Sequence, residues 1–87
     1  MIENQFLAEC MMVQILLVED ETVIRQALKR LLEKHQYQVS EAGSIDEAKK
    51  HNLEDFDLII SDLRLPGAAG TEMITLAGST PVLIMTS

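Results

Sequence analysis

Hydrophobic residues recur along this chain in two rhythms. Val13-Gln-Ile-Leu-Leu-Val18 is an almost unbroken apolar run closed by acids, the pattern of a buried strand. From Glu21 to His35 the spacing becomes helical: Ile24, Ala27, Leu28, Leu31 and Leu32 share one face at the 3.6-residue period. Glu21 stands near the start of this helix, and Lys29, Arg30, Lys34 and His35 lie towards its end, as the helix dipole favours. Tyr37 to Ala42 alternates polar and apolar residues and reads as a strand at a sheet edge. Ser44-Ile-Asp-Glu47 has the form of a capping box and predicts a second helix over Ile45 to His51. Phe56 to Ser61, built around Leu58-Ile-Ile60, reads as a third buried strand, and Asp62 follows it directly. Leu65-Pro-Gly-Ala-Ala-Gly70 is a loop by its Pro and Gly content. Thr71 to Ala77 is a short helix stopped by Gly78-Ser-Thr-Pro81, and Val82-Leu-Ile-Met85 is a fourth strand, with Thr86 after it.

The succession is β-α-β-α-β-α-β. Such alternation, with largely apolar strands, predicts an α/β fold: a doubly wound parallel sheet with helices on both faces and right-handed crossovers.

Composition narrows the class. The 87 residues allow one domain, with 47% apolar and 24% charged residues, too apolar for a disordered tail. A net charge of −7 lacks the Lys/Arg excess that nucleic-acid phosphates demand, so direct nucleic-acid binding by this segment is excluded. The acidity serves solubility or gathers in a site. A single cysteine, Cys10, excludes an intramolecular disulfide and suits a cytoplasmic setting. No apolar run approaches the ~20 residues that span a bilayer, so no membrane role is expected. Met1 to Cys10 carry two Glu and no Lys or Arg, unlike a secretory signal. Residues 1–12 read as an N-terminal extension of a domain that begins near Val13.

The chemistry lies at the strand ends. The first strand ends in Glu19-Asp20, the third in Asp62 and the fourth in Thr86. In an open α/β sheet ligands bind beyond the carboxyl ends of the strands, and parallel strands deliver these residues to one edge. Three carboxylates together repel unless a cation joins them. A hard divalent ion with oxygen ligands meets that need, and Mg²⁺ suits a few carboxylates plus water and phosphate oxygens. With such an ion present, a carboxylate can act as the nucleophile towards a phosphoryl group, and Thr86 can donate a hydrogen bond to a phosphoryl oxygen. Taken singly, Asp20 is a helix N-cap, Asp62 a turn residue and Thr86 uninformative; it is their convergence that points to a site. His35 and His51 have no metal-ligand spacing and read as surface residues. Pro66 to Gly70 lacks the Lys and Ser/Thr of a phosphate-cradling loop.

Ile15-Leu-Leu-Val-Glu-Asp-Glu21, Asp57-Leu-Ile-Ile-Ser-Asp-Leu-Arg-Leu-Pro66 and Pro81-Val-Leu-Ile-Met-Thr86 together resemble the receiver domain of two-component response regulators, over residues 13–87. Pro66 and Gly70 fit the loop of that family. The resemblance implies a flavodoxin-like doubly wound fold with strand order 2-1-3-4(-5). It implies that Asp62 is the phosphoacceptor and Thr86 the switch hydroxyl. It implies further that Glu19, Asp20, Asp62 and the backbone carbonyl of Arg64 hold Mg²⁺, with Asp20 a direct ligand and Glu19 acting through water. The donor in the family is a phosphohistidine on a sensor histidine kinase, which docks on the first helix. Val23 is then a partner contact, or else part of the core. The segment from Gly70 to Pro81 is shorter than is usual in the family, so the third helix is clipped by about a turn. The family also has a fourth helix, a fifth strand ending in Lys before Pro, and a fifth helix; this sequence holds no such last helix-strand-helix part. That Lys pairs with the phosphoryl group in the family, so Mg²⁺ binding without it is expected to survive and phosphorylation to be weak. Either the domain continues beyond this sequence, or the uncovered fourth strand, Val82 to Met85, supports self-association.

Three function classes follow. The leading one is a signalling receiver that assists its own phosphorylation and dephosphorylation and is not an enzyme on an external substrate. The alternative is a non-phosphorylated, receiver-like interaction or dimerisation module. A phosphohydrolase with an Asp nucleophile needs a second acid two residues on, where this chain has Arg64.

Overall fold

The computed structural model describes residues 12–86. The extension expected over residues 1–12 lies, save for its last residue, outside the described residues, as does Cys10. Strands β1 (Gln14–Val18), β2 (Gln38–Ala42) and β3 (Leu58–Asp62) alternate with helices α1 (Thr22–Lys34) and α2 (Ile45–Ala48). A 3₁₀ turn at Leu53–Asp55 precedes β3. After β3 come the two-residue strands β4 (Arg64–Leu65) and β5 (Ala68–Ala69), helix α3 (Glu72–Ala77) and strand β6 (Val82–Met85). The main sheet runs β2-β1-β3-β6 and is parallel throughout, the expected order with β6 in the fourth place.

Strands β1 and β3 are buried on both faces. On one face Leu16, Val18, Ala42 and Ile59 pack with Ile45 and Ala48 of α2 and with Met73 and Ala77 of α3. On the other, Ile15, Leu17 and Ile60 pack under Leu28 and Leu32 of α1. Leu16, Leu17, Val18 and Ile59 are fully excluded from solvent, which makes β1 and β3 the centre of the core. The expected stripe on α1 is narrower than its periodicity suggests. Only Leu28 and Leu32 reach the sheet, whereas Ile24, Ala27 and Leu31 are exposed. The reason is that Arg25, Gln26 and Lys29 turn towards β2, where all three bond the Glu41 carboxylate at 2.7–3.1 Å.

Helix α1 ends in a pair of bonds that normally calls for glycine. Gln36 N–H donates to Glu33 O (2.9 Å) and Tyr37 N–H to Leu32 O (3.2 Å). Gln36 therefore sits at a left-handed φ of 69°. Helix α2 stops at Ala48, short of the expected His51, and residues 49–50 continue as a turn. Its start is capped as predicted on one side, with Ser44 Oγ accepting from Glu47 N–H (3.1 Å). Glu47 Oε1 reaches back one residue further than expected and accepts from Gly43 N–H (3.2 Å). Residues 56–57 fall outside β3, and Asp62 is its last residue rather than its successor. The loop over residues 65–70 contains the short antiparallel ladder of β4 on β5.

The amino ends of β1 and β3 are closed by reciprocal bonds. Asp57 Oδ2 accepts from Gln14 N–H (2.8 Å), and Asp57 N–H donates to Gln14 O (2.8 Å). Thr80 Oγ1 donates to Leu53 O (3.0 Å), which ties the 3₁₀ turn to the approach of β6.

Two outcomes test this description. Gln36→Gly is expected to stabilise the fold by about 0.5–1 kcal/mol, because a residue with Cβ is strained at this φ; chemical denaturation measures it. The second concerns pH. The Lys29 hydrogen bond holds the Glu41 carboxyl below its ordinary 4.5; burial opposes this and Arg25 adds to it. The depressed folded value means that Glu41 contributes stability above 4.5 and loses it as pH falls through its folded value. The stability gap between wild type and Glu41→Gln is therefore expected to be flat around neutrality and to close as pH falls below 4.5, read by denaturation at each pH.

Candidate functional site

The carboxyl ends of β1, β3 and β6 meet at one rim. In the parallel register Val18 lies beside Ser61, and Asp62 beside Met85, so residues just past Val18 and Met85 fall level with the end of β3. Glu19, Asp20 and Asp62 accordingly bring one carboxylate oxygen each to within 4.8 Å of one another. A cleft of about 190 Å³ opens among them, lined by Glu19, Asp62 and Thr86 with Ile24 and Met85 as its apolar walls. Asp20 is exposed at its margin, Asp62 half-buried and Glu19 only 4% exposed.

The electrostatics at this rim are unfavourable without a cation. Burial, first, and the neighbouring Asp62 carboxylate, second, push the Glu19 carboxyl up to about 7. Its Oε2 is buried with no hydrogen-bond partner among the described residues, an acceptor of the kind that native structures seldom leave unpaired. An all-oxygen donor set with an unpartnered buried carboxylate oxygen is what a hard divalent ion takes, so the residues fit such an ion.

Asp62 is held from three directions. Its Oδ1 accepts from the Arg64 N–H (3.2 Å), its carbonyl accepts from the buried Ser61 hydroxyl (3.1 Å), and the next residue, Leu63, donates its N–H to Met85 O (2.9 Å). The β4–β5 ladder then folds the chain back, and Gly70 N–H donates to Leu63 O (2.8 Å). A Cβ on Gly70 would stand 1.8 Å from the Asp62 carbonyl oxygen, so only glycine allows this close approach.

Glu19 is held just as firmly. Its N–H donates to Ala42 O (3.0 Å) and its carbonyl accepts from Arg25 Nη1 (2.7 Å). Asp20 is not the N-cap of α1; Glu21 occupies that place with extended backbone and makes no side-chain cap bond. Asp20 thus has no helix bond that competes with a role at the rim.

Every side chain named from the sequence as a site candidate is at this rim: Glu19, Asp20, Asp62 and Thr86. Arg64 lies two residues beyond Asp62, exposed, with its backbone in the β4–β5 ladder. Pattern reading missed Arg25, Ile24 and Met85. The first had a signal: Arg25 and Lys29 are one helical turn apart, and Glu41 shares the α1-facing parity of Val39.

Comparison with known proteins bears on this arrangement. Residues 15–87 match the family described as response regulator receiver domain. The chain is 40% identical over 78 residues to the transcriptional regulatory protein ResD of Bacillus subtilis (strain 168), covering 85% of this chain and 32% of that protein. It thus spans about a third of the length of this relative. Among solved structures, the non-phosphorylated HemR receiver domain from Leptospira biflexa superposes with a TM-score of 0.75 at 39% identity, covering 85% of this chain and 64% of that one. The response regulator TrrA from Thermotoga maritima, solved in complex with Mg(2+)-BeF, gives a TM-score of 0.76 at 31% identity, over 86% of this chain and 70% of the other. With the sheet order, the acidic rim and a match that runs from β1 past β6, the chain belongs to the response regulator receiver domains of two-component systems.

Proposed function

We propose that Asp62 is a phosphoacceptor that takes a phosphoryl group from the phosphohistidine of a sensor histidine kinase in a Mg²⁺-dependent reaction. One observation supports this above all: three carboxylates within 4.8 Å, one of them buried and unpartnered, at the carboxyl rim of the sheet. The Mg(2+)-BeF complex of the Thermotoga relative supports the choice of ion.

In the transfer, an Asp62 carboxylate oxygen attacks phosphorus as the N–P bond of the donor breaks. The electron pair returns to the imidazole nitrogen, which takes up a proton. Glu19, Asp20, Asp62 and the backbone carbonyl of Arg64 would hold the ion, and it would supply neutralisation of charge on the phosphoryl oxygens. Thr86 donates its hydroxyl to a phosphoryl oxygen, the switch role. Ile24 and Met85 give the cleft its apolar walls. Discharge runs by addition of water to phosphorus, loss of inorganic phosphate and return of the Asp62 carboxylate. The chain thus assists its own phosphorylation and dephosphorylation without an external substrate. Val23, 82% exposed on the first turn of α1, belongs to the surface that meets the kinase rather than to the core. Residues 13–87 form the receiver unit and residues 1–12 its extension. The unit works in the cytoplasm, and the net charge of −7 keeps it off nucleic acid. No helix among the described residues is long and apolar enough to cross a membrane.

A second reading has its own observation. Among the described residues β6 pairs on one side only, with β3, and Leu83 on it is 54% exposed. An open strand with an apolar side chain is a template for pairing, which favours a receiver-like module that self-associates through Val82–Met85 without phosphorylation.

Phosphate-affinity electrophoresis after acetyl phosphate treatment tests the first reading. Labelling is expected to require Mg²⁺ and to vanish in Asp62→Asn; labelling unchanged in Asp62→Asn refutes it. Sedimentation with and without Mg²⁺ and beryllofluoride separates the second, for which a concentration-dependent oligomer indifferent to both is expected.

A further inference from the structure

One cation sits against the acidic rim without being part of it. Arg25, on the first turn of α1, spans two neighbouring segments. Its Nη1 donates to the Glu19 carbonyl at 2.7 Å, and its Nε donates to Glu41 Oε1 on β2 at 3.1 Å. The same guanidinium lies along the loop after β2, where a Cβ built on Gly43 would stand 3.4 Å from Nη1. The guanidinium is itself mostly covered: the Arg25 side chain is 17% exposed and that of Glu41 25%. Glu41 is fixed in turn by Gln26 (2.7 Å) and Lys29 (3.0 Å), so the acceptor that aims Arg25 is itself immobilised.

The Glu19 backbone is therefore gripped on both sides from β2. Its N–H is held directly by the Ala42 carbonyl (3.0 Å), and its C=O is held through Arg25, which Glu41 anchors. The peptide that joins Glu19 to Asp20 carries that carbonyl, so its orientation sets where both acid side chains leave the backbone. We propose that Arg25 is a positioning residue for the cation site: through the Glu19 carbonyl it fixes the Glu19–Asp20 peptide so that both carboxylates face Asp62. This rests on the assignment of a divalent ion to the acidic rim. It adds to that assignment a residue that contacts neither the ion nor the phosphoryl group. A planar fork with separate donors is what the task needs, since one donor must reach a carbonyl while another holds a carboxylate.

Positioning and charge predict opposite signs. Removal of a nearby cation, taken alone, strengthens the binding of a divalent cation. Loss of the grip on the peptide weakens it, and groups that orient metal ligands typically govern affinity by 10–100-fold. The experiment is a Mg²⁺ titration of the full chain, followed through the amide chemical shifts of Glu19 and Asp20. Wild type, Arg25→Ala, Arg25→Lys and Lys29→Ala are compared. Lys29→Ala is the control, because it removes an equal charge from Glu41 and leaves the Glu19 carbonyl bonded. Arg25→Ala is expected to weaken Mg²⁺ binding about tenfold or more, and Arg25→Lys to recover only part of it. Lys29→Ala is expected to bind as wild type does or more tightly. Faster hydrogen exchange at Asp20 in the metal-free Arg25→Ala chain, with Leu16 unchanged, is the second expected result. If Arg25→Ala does not fold, Arg25→Lys against Lys29→Ala carries the same comparison. Equal affinities in Arg25→Ala and Lys29→Ala overturn the positioning role alone. A wild-type chain whose Glu19 and Asp20 amides do not respond to Mg²⁺ overturns the ion assignment beneath it.

Discussion

Because β1, β3 and β6 run parallel, whatever follows the last apolar residue of each strand is delivered to the same rim, and here those residues are acids and a threonine. Parallel pairing leaves no freedom to send Glu19 and Asp62 to opposite ends of the sheet. The burial of Leu16, Leu17, Val18 and Ile59 enforces that pairing, since a slip would pull these close-packed side chains away from their partners on both faces. The core thus holds together groups that repel. The upward push on the Glu19 carboxyl, from its burial and from Asp62, is the electrostatic record of that compression.

The two faces of the sheet do different work. Helices α2 and α3 cover one face with small and flexible residues, Ala48, Met73 and Ala77, which lie close against Leu16 and Ile59. The other face carries α1, whose contact with the sheet is half apolar and half ionic. Leu28 and Leu32 bury against Ile15, Leu17 and Ile60, while Arg25, Gln26 and Lys29 converge on Glu41. Ionic contacts at a partly exposed surface contribute little stability, but they are directional, and direction is what a rim of carboxylates requires.

Much of this was legible in the order of residues. Apolar runs closed by polar residues, acids after β1 and Thr86 after β6, mark these strands, and acids at the ends of parallel strands imply that Glu19, Asp20 and Asp62 meet. What stayed hidden is instructive. The β4–β5 ladder is two residues a side, too short for any period, and the Pro66-Gly67 pair inside it reads as loop by composition. The 3₁₀ turn at Leu53–Asp55 has three residues and no apolar repeat. The helical stripe on α1 was overread because Ile24, Ala27 and Leu31 have the right spacing, yet the helix is rotated so that its polar row meets Glu41. The Arg25–Lys29 spacing and the parity of Glu41 mark the carboxylate partner of Arg25 in the sequence, but its bond to the Glu19 carbonyl, a backbone group, leaves no such mark. Gly70 was legible as a loop residue, but the 1.8 Å that excludes a methyl group is a property of the folded chain alone.

Asp57 binds Gln14 through both its carboxylate and its amide, at the end of the sheet away from the acids. The two central strands are thereby stapled at their base, like the leaves of a fan at its pivot. Repulsion at the far rim then acts with the full length of each strand as its lever. Any widening between Glu19 and Asp62 is a splay about that pivot, graded along the strands and greatest where the carboxylates stand.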